Sequence, residues 1–303
     1  MERLLKAMEF SVTLVSEQAL PDGEFPTVSY PNPEEREALA LSLARATAVN
    51  ADLFLATDPD SDRLGAGFRR GPGDYVLFNG NQLGSLMCSF LIERLKKRSA
   101  RLSDYIIYKT IVTSDLQKSI ADKNGVRIEE VLTGFKYIAE KIKSIEGTGL
   151  HYLFGGEESY GYLPVDFVRD KDALASALLL VEIAAEKKDL VAYMDEIYLE
   201  YGLYLEDLKS ITMKGSSGQA QIAAIIDSLR KDRPMGLKLG KRSVTGIIDY
   251  ETQESLGSAS FPALSKLPRS NVIQLILEPE GKLTIRPSGT EPKVKLYSSL
   301  RHT

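Results

Sequence analysis

Cysteine is almost missing from this chain: its 303 residues hold one, Cys88. A lone thiol cannot close an intramolecular disulfide, so the fold rests on its packed cores, and the count suits a reducing compartment. Also lacking is any apolar run near the ~20 residues that span a bilayer. Met1-Glu2-Arg3-Leu4-Leu5-Lys6 mixes charges with no long apolar stretch behind it, unlike a secretory leader. A cytoplasmic location is expected on these grounds. There is no surplus of positive charge either. A net charge of −4 and a pI near 5.5 argue against nucleic acid or an anionic membrane as main partner. The chain holds no Walker loop, dinucleotide fingerprint, internal repeat or low-complexity tract.

What is present is an ordinary globular composition, 43% apolar and 26% charged, at a length that implies two or three domains. Strand and helix patterns alternate through the first two thirds, which predicts mostly parallel sheets covered on both faces. Arg3–Phe10 reads as the end of an amphipathic helix and Phe10–Val15 as a strand. Asn32, Pro33 and Glu35 read as the cap, first position and acidic first turn of a helix running to about Asn50. A strand over Leu53–Ala56 precedes two antiparallel strands, Leu64–Phe68 and Tyr75–Phe78. Asn79 then caps a helix ending in Lys96-Lys97-Arg98, and further strands and helices lead to a long apolar helix over Lys171–Lys187. After Glu206 the pattern shifts to strands around one helix, Gln219–Leu229, a smaller α+β domain.

The most informative stretch is Asp58-Pro59-Asp60-Ser61-Asp62-Arg63, which ends the strand at Leu53–Ala56. Three carboxylates within five residues repel one another unless a cation sits among them, and hard oxygen ligands suit a divalent ion. Arg63 beside them points to a nearby phosphate, which a guanidinium grips with two parallel hydrogen bonds. The alternative is an acidic surface turn. An EF-hand fails, because its sixth and twelfth positions would be Arg63 and Arg69 where glycine and glutamate are needed. An aspartate-nucleophile phosphatase of the haloacid dehalogenase type would need Thr or Val where Asp62 stands.

Three further loops carry chemistry. Thr133-Gly134-Phe135-Lys136 follows a strand and opens a helix, where backbone N–H groups and a lysine can meet an anion, or where a glycine simply turns the chain. Gly156-Glu157-Glu158-Ser159 ends another strand and offers an acceptor and a hydroxyl suited to sugar hydroxyls; a structural turn fits equally. Downstream, Lys171 is set among Arg169, Asp170 and Asp172, where partial burial would let it titrate near neutrality; taken singly, the stretch reads more readily as a helix-start charge cluster. In Arg286-Pro287-Ser288-Gly289-Thr290-Glu291-Pro292-Lys293, an arginine, two hydroxyls and a glycine between two strands make a phosphate cradle; the alternative is a plain hairpin turn.

With these loops in this order, the chain resembles the α-D-phosphohexomutase superfamily, and its phosphoglucomutase branch most. The resemblance implies two α/β/α domains with mixed, mostly parallel sheets plus a C-terminal α+β domain. Residues 1–76 would be domain II, truncated at its start, 77–188 domain III, 189–205 a linker helix and 206–303 domain IV. It implies that Asp58, Asp60 and Asp62 bind Mg²⁺, with Arg63 near a phosphoserine and Lys171 as acid/base. Thr133, Gly134 and Lys136 would sense the sugar ring, Glu157 and Ser159 hold its hydroxyls, and Arg286, Ser288, Gly289 and Thr290 bind phosphate.

One departure stands out. The family's nucleophile is the serine of a Ser-His pair, and the only histidines here, His151 and His302, follow no serine. The resemblance therefore implies an N-terminally truncated mutase that supplies metal, sugar and phosphate sites to a glucose 1,6-bisphosphate-dependent reaction and is inactive alone. A truncated domain would also expose apolar surface and self-associate. The alternative from another class is a non-catalytic sugar-phosphate-binding protein.

Overall fold

The computed structural model describes residues 1–213, 217–259, 261, 264–289 and 291–302. They gather into two units, Met1–Tyr201 and Gly202–Thr303. Helix α1 (Glu2–Ala7) opens the first unit, and α2 (Ala40–Val49) covers a small antiparallel sheet. Its strands are β1 (Leu53–Thr57), β2 (Leu64–Gly71) and β3 (Asp74–Phe78), in that order. Phe54 turns inward from β1 to meet Leu39 and Ala46. The helix stops at Asn50, which adopts the left-handed conformation (φ 51°) that asparagine tolerates better than most side chains.

Two expectations fail in this region. Residues 10–15 form no strand: among the described residues nothing pairs with them, and an unpaired extended segment is not a sheet strand. The helix expected from Pro33 begins only at Ala40, after a short 3₁₀ turn at Arg36–Leu39. Asn32–Glu35 is instead a turn in which the Glu34 N–H donates to Asn32 Oδ1 at 3.0 Å and the Glu35 N–H to the Asn32 carbonyl at 3.0 Å. Tertiary contacts of Pro33 and Glu34, described below, outweigh the local helix-start signal.

The second sheet of this unit runs β5-β4-β6-β7. It follows α3 (Gly80–Lys97) and comprises β4 (Tyr105–Thr110), β5 (Arg127–Val131), β6 (His151–Gly156) and β7 (Tyr162–Leu163). The helices between and after them are α4 (Asp115–Asn124), α5 (Phe135–Ser144), α6 (Ala173–Lys187) and α7 (Leu190–Tyr201). Strand β4 lies parallel to both β5 and β6, while β7 turns back antiparallel on β6. The loops after β4, β5 and β6 therefore emerge at one edge, where ligands bind in open α/β sheets. Helix α3 begins as read, with a capping box in which Asn79 and Gln82 exchange hydrogen bonds of 2.9 Å. Helix α5 buries Phe135, Ile138 and Ile142, spaced three and four apart, against Ile106, Tyr108 and Val131. Cys88 is buried inside α3, which pushes its thiol up to about 12 and leaves it inert. Among the described residues no helix is long and apolar enough to cross a membrane.

Among the described residues the second unit is a seven-stranded antiparallel sheet under one α-helix. Its strands are β8 (Leu203–Thr212), β9 (Lys238–Leu239), β10 (Arg242–Asp249), β11 (Glu254–Gly257), β12 (Ile273–Glu278), β13 (Gly281–Pro287) and β14 (Lys293–His302). The main order is β11-β10-β12-β13-β14-β8, with β9 on β10. Ile222 and Ile226 of α8 (Gly218–Asp232) pack on Val244, Ile247, Leu275 and Ile285. The α/β class with mixed sheets and an α+β C-terminal part is as expected. Among the described residues parallel pairing is confined to β4 with its two neighbours.

One close approach fixes the mouth of the second sheet. A Cβ on Gly80, the first residue of α3, would overlap the carbonyl oxygen of Glu158 in the loop after β6. Gly80→Ala is expected to cost about 1–3 kcal/mol, the range for inserting a methyl group into packed structure. Gly71→Ala, where the added Cβ meets nothing within 4 Å, is the control and should stay within about 0.5 kcal/mol in the same urea denaturation series.

Candidate active site

The acidic loop joins β1 to β2 and folds back on itself. Asp58 Oδ1 accepts hydrogen bonds from the Asp62 and Arg63 N–H groups, both at 3.0 Å. Ser61 completes the turn in a left-handed conformation, φ 58°. Backbone bonds then dock this loop onto the second sheet. The Leu64 N–H donates to the Tyr160 carbonyl at 2.9 Å, the Ala173 N–H to the Ser61 carbonyl at 3.0 Å, and Arg63 bridges Gly161.

The three aspartates each place a carboxylate oxygen within 4.8 Å of the others. Asp58 is 9% exposed, and burial, reinforced by Asp62 and Asp60, raises its pKa to about 6. Asp62 Oδ1 is buried without a hydrogen-bond partner among the described residues. An orphaned carboxylate oxygen beside two others is a donor set of the kind hard divalent cations take. The residues fit the ion.

Two cations border the aspartates. Lys171 Nζ lies 2.8 Å from Asp62 Oδ2 and 3.2 Å from Asp170 Oδ1, and 5.5 Å from the centre of the Phe135 ring. Burial alone would lower its pKa, but the hydrogen bond and charge of Asp62, with Asp170, outweigh burial and raise it. Lys171 therefore does not titrate near neutrality as the sequence suggested; Asp62, with Asp170, keeps it an ammonium. Arg63 Nε stands 3.6 Å from Asp58 and 3.8 Å from Asp62, and Nη1 donates to Glu34 Oε1 at 2.7 Å.

The other loops meet at the same sheet edge. Glu157, 7% exposed, accepts from the Gly134 N–H at 3.0 Å, joining the loops after β5 and β6. Thr133 Oγ1 is buried with no partner among the described residues. Ser159 makes no side-chain hydrogen bond there, and exposed Lys136 rests over the Tyr137 ring, 4.9 Å from its centre. The loop after β4 joins them through Glu158 Oε2, which accepts from Thr110 at 3.3 Å and Thr113 at 3.4 Å. Fully buried Lys109 ties this loop to β5 by bonds to the Thr113 carbonyl (3.1 Å), Asp115 (3.0 Å) and Glu130 (2.5 Å). Its burial favours the neutral form, but those two carboxylates outweigh burial and raise its pKa.

Arg286, Ser288 and Gly289 lie at the β13–β14 turn of the second unit; Thr290 lies outside the described residues. The Ser288 N–H donates to the Lys293 carbonyl at 2.7 Å, and Ser288 Oγ accepts from the Glu291 N–H at 3.3 Å. Arg286 faces Lys295 across the strand pair, and Lys293 lies two residues along on that face, opposite the core side held by Ile285 and Val294. Among the described residues none of these three cations has an ion pair. Like charges opposite one another in a sheet repel, so this face is suited to a shared anion.

Sequence patterns assigned no role to Glu34, Thr110, Thr113, Glu158, Lys293 or Lys295. Glu34 was hidden in an apparent helix start and Glu158 beside a more obvious glutamate. The lysines follow the cradle motif closely enough for strand alternation from Arg286 to have found them.

Residues 1–71 match the model for phosphoglucomutase/phosphomannomutase α/β/α domain II, and residues 79–201 that for domain III. Phosphoglucomutase of Staphylococcus epidermidis is 38% identical over 306 residues, covering 98% of this chain and 54% of the relative; that of Staphylococcus aureus is 38% identical over 305. A phosphoglucomutase/phosphomannomutase family protein of Burkholderia thailandensis superposes with a TM-score of 0.59 at 22% identity, over 93% of this chain and 49% of that one. Parafusin, a phosphoglucomutase of Paramecium, does so with a TM-score of 0.59 at 17% identity, over 90% and 45%. At such identities these two structures speak for the fold alone.

Fold and domain matches together define an α-D-phosphohexomutase architecture. Within it, this chain belongs to the phosphoglucomutase/phosphomannomutase family, and it spans about half the length of the curated relatives it matches.

Glu158 gives the site a pH signature. Burial first, then the charge of Glu157, raises its pKa to about 7 from an ordinary 4.5. The folded state thus holds a proton that the unfolded state has lost, so the stabilisation is complete below pH 4.5 and disappears as pH rises through 7. Wild type should lose on the order of 1–3 kcal/mol relative to Glu158→Gln between these limits. Asp58 titrates in both proteins and cancels in the difference. Parallel stability–pH curves from urea melts would contradict the assignment.

Proposed function

We propose that this chain supplies the metal, sugar and phosphate sites of a phosphoglucomutase-type reaction, interconverting hexose 1-phosphate and hexose 6-phosphate through a 1,6-bisphosphate. The observation that carries this is the convergence of Asp58, Asp60, Asp62, Arg63, Gly134, Glu157 and Lys171 through direct contacts at one sheet edge. Asp58, Asp60 and Asp62 would hold Mg²⁺, which when bound supplies Lewis-acid stabilisation of a transferring phosphoryl group. Arg63 would grip a phosphoryl oxygen. Lys171, held as an ammonium by Asp62, would offer positive charge and a proton to the sugar oxygen that leaves phosphorus. Glu157 and Ser159 would take sugar hydroxyls, with Thr133, Gly134 and Lys136 lining the ring. Arg286, Ser288, Gly289 and Thr290 would hold the phosphate not undergoing transfer, so that either end of the bisphosphate can be presented.

The nucleophile is the missing piece, since no Ser-His pair occurs in the 303 residues. That favours a second reading, retained sugar-phosphate binding without turnover. Purified chain given glucose 1-phosphate, Mg²⁺ and catalytic glucose 1,6-bisphosphate is expected to show no mutase activity while binding the bisphosphate calorimetrically. Turnover above a matched blank would mean that another group takes the phosphoryl. Asp60→Asn, at the exposed member of the triad, should weaken Mg²⁺ binding by about tenfold or more, because affinity follows the charge of the ligand set.

A cytoplasmic protein that self-associates is part of this proposal. Strand β1 pairs only with β2 among the described residues, and Leu14, Leu20, Phe25 and Tyr30 are exposed before it. Concentration-dependent sedimentation toward a dimer or larger species is expected; a single monomeric boundary across the range would count against it.

A further inference from the structure

Asn32, Pro33 and Glu34 reach the acidic loop from thirty residues upstream, and their turn is built to stay there. Pro33 is buried against β2, where a Cβ on Gly65 would come within 2.8 Å of the Pro33 Cβ and 3.3 Å of Leu39. The bare backbone of Gly65 thus makes the seat for Pro33. Asn32 then shapes the next residue, accepting the Glu34 N–H at 3.0 Å while its amide lies 3.4 Å from Glu34 Oε1. The result aims the Glu34 carboxylate at Arg63 Nη1, 2.7 Å away. Glu34 and Arg63 side chains are 24% and 34% exposed, so the pair is partly shielded from water.

Arg63 has three carboxylates around it, but they do not use it equally. Glu34 holds Nη1 with the one hydrogen bond, while Asp58 and Asp62 stand off Nε at 3.6 and 3.8 Å. Among the described residues Nη2 carries no partner. A long side chain left to itself would sample many rotamers and collapse onto the aspartates, the nearest negative charge. Anchored at Nη1, it keeps a second amine available for an oxygen of a bound phosphate.

We propose that Glu34 is a positioning residue for Arg63, fixing its guanidinium so that Nη2 can grip a phosphomonoester bound beside the aspartates. The ligand class rests on the sugar-phosphate reading given above; the fixing of Arg63 does not. A plain structural staple would tolerate loss of the carboxylate with little change at Arg63, whereas a positioning residue would not.

The test uses the whole chain as wild type, Glu34→Ala and Glu34→Gln. The isosteric glutamine keeps an acceptor oxygen and guards against a simple folding defect. Without ligand, solvent exchange of the Arg63 Nη1 protons, the ones Glu34 holds, read by ¹⁵N NMR, should speed up by about tenfold or more in Glu34→Ala and change little in Glu34→Gln. With Mg²⁺ present, glucose 1-phosphate should bind about tenfold more weakly to Glu34→Ala, the cost of ordering one long side chain, and within about threefold of wild type in Glu34→Gln. Unchanged exchange in Glu34→Ala, or binding as tight as wild type or tighter, would overturn the proposal. If wild type binds no glucose 1-phosphate, the sugar-phosphate reading falls and this ligand with it, while the exchange rates still decide whether Glu34 fixes Arg63.

Discussion

The site depends on backbone hydrogen bonds that tie a hairpin-like loop to the end of a mixed sheet. The Leu64 N–H reaches the Tyr160 carbonyl and the Ala173 N–H reaches Ser61, with Arg63 bridging Gly161 between them. These bonds are insensitive to side-chain identity, yet they determine which side chains meet. They bring Asp62 to Lys171, and Lys171 to the Phe135 ring at the start of α5. Without them, three aspartates between β1 and β2 would be an ordinary exposed turn. Gly80 makes its own contribution, since the N-terminus of α3 touches the Glu158 carbonyl and limits where the loop after β6 can lie.

That docking concentrates negative charge, and the electrostatics of the site follow from it. Two unit charges just under 5 Å apart repel by about 3–4 kcal/mol at an effective dielectric of about 20. Set against a total stability of about 5–15 kcal/mol for a domain, several such pairs cannot stand uncompensated. The chain answers with Arg63 and Lys171, one on either side, and with a proton that Asp58 holds up to about pH 6. Five nearby carboxylates, counting Glu34 and Asp170, still outnumber two cations. The remaining imbalance is what a divalent cation would relieve, and the orphaned oxygen of Asp62 is where it would be felt most.

Much of this is legible in the amino-acid sequence, for identifiable reasons. The aspartate spacing, the glycines after strands and the Arg286 loop are local patterns, and local patterns survive translation into structure. The alternation of strand and helix likewise gave the α/β class, because parallel strands need crossover helices. What stayed hidden was decided by contacts between distant segments. Asn32-Pro33-Glu34-Glu35 has good helix-start chemistry, yet Pro33 found a seat on Gly65 and the helix waited until Ala40. Lys171 sits among charges in sequence, but the effect of those charges depended on Asp62, more than a hundred residues earlier, being within 2.8 Å. Glu158 could not be told from Glu157 until each was seen to hold a different loop, one through Gly134 and the other through two threonines.

The second unit solves a related problem with the opposite sign. Alternation along β14 buries Val294 in the core under α8 and turns Lys293 and Lys295 to the other face, beside Arg286. Directly opposed residues in antiparallel strands stand about 4.5–5.5 Å apart, so Arg286 and Lys295 repel in the folded sheet and do not in the unfolded chain. The sheet carries that cost through the apolar packing of Ile222, Ile226, Leu275 and Ile285 on its other side. An anion bound between the cations would gain its own attraction and also relieve their repulsion, so part of its binding energy is already stored in the fold. The same logic holds at the acidic loop for a cation. Each unit is left electrostatically incomplete on the face that its motif marks, and in each the incompleteness sets the sign of the charge it would take.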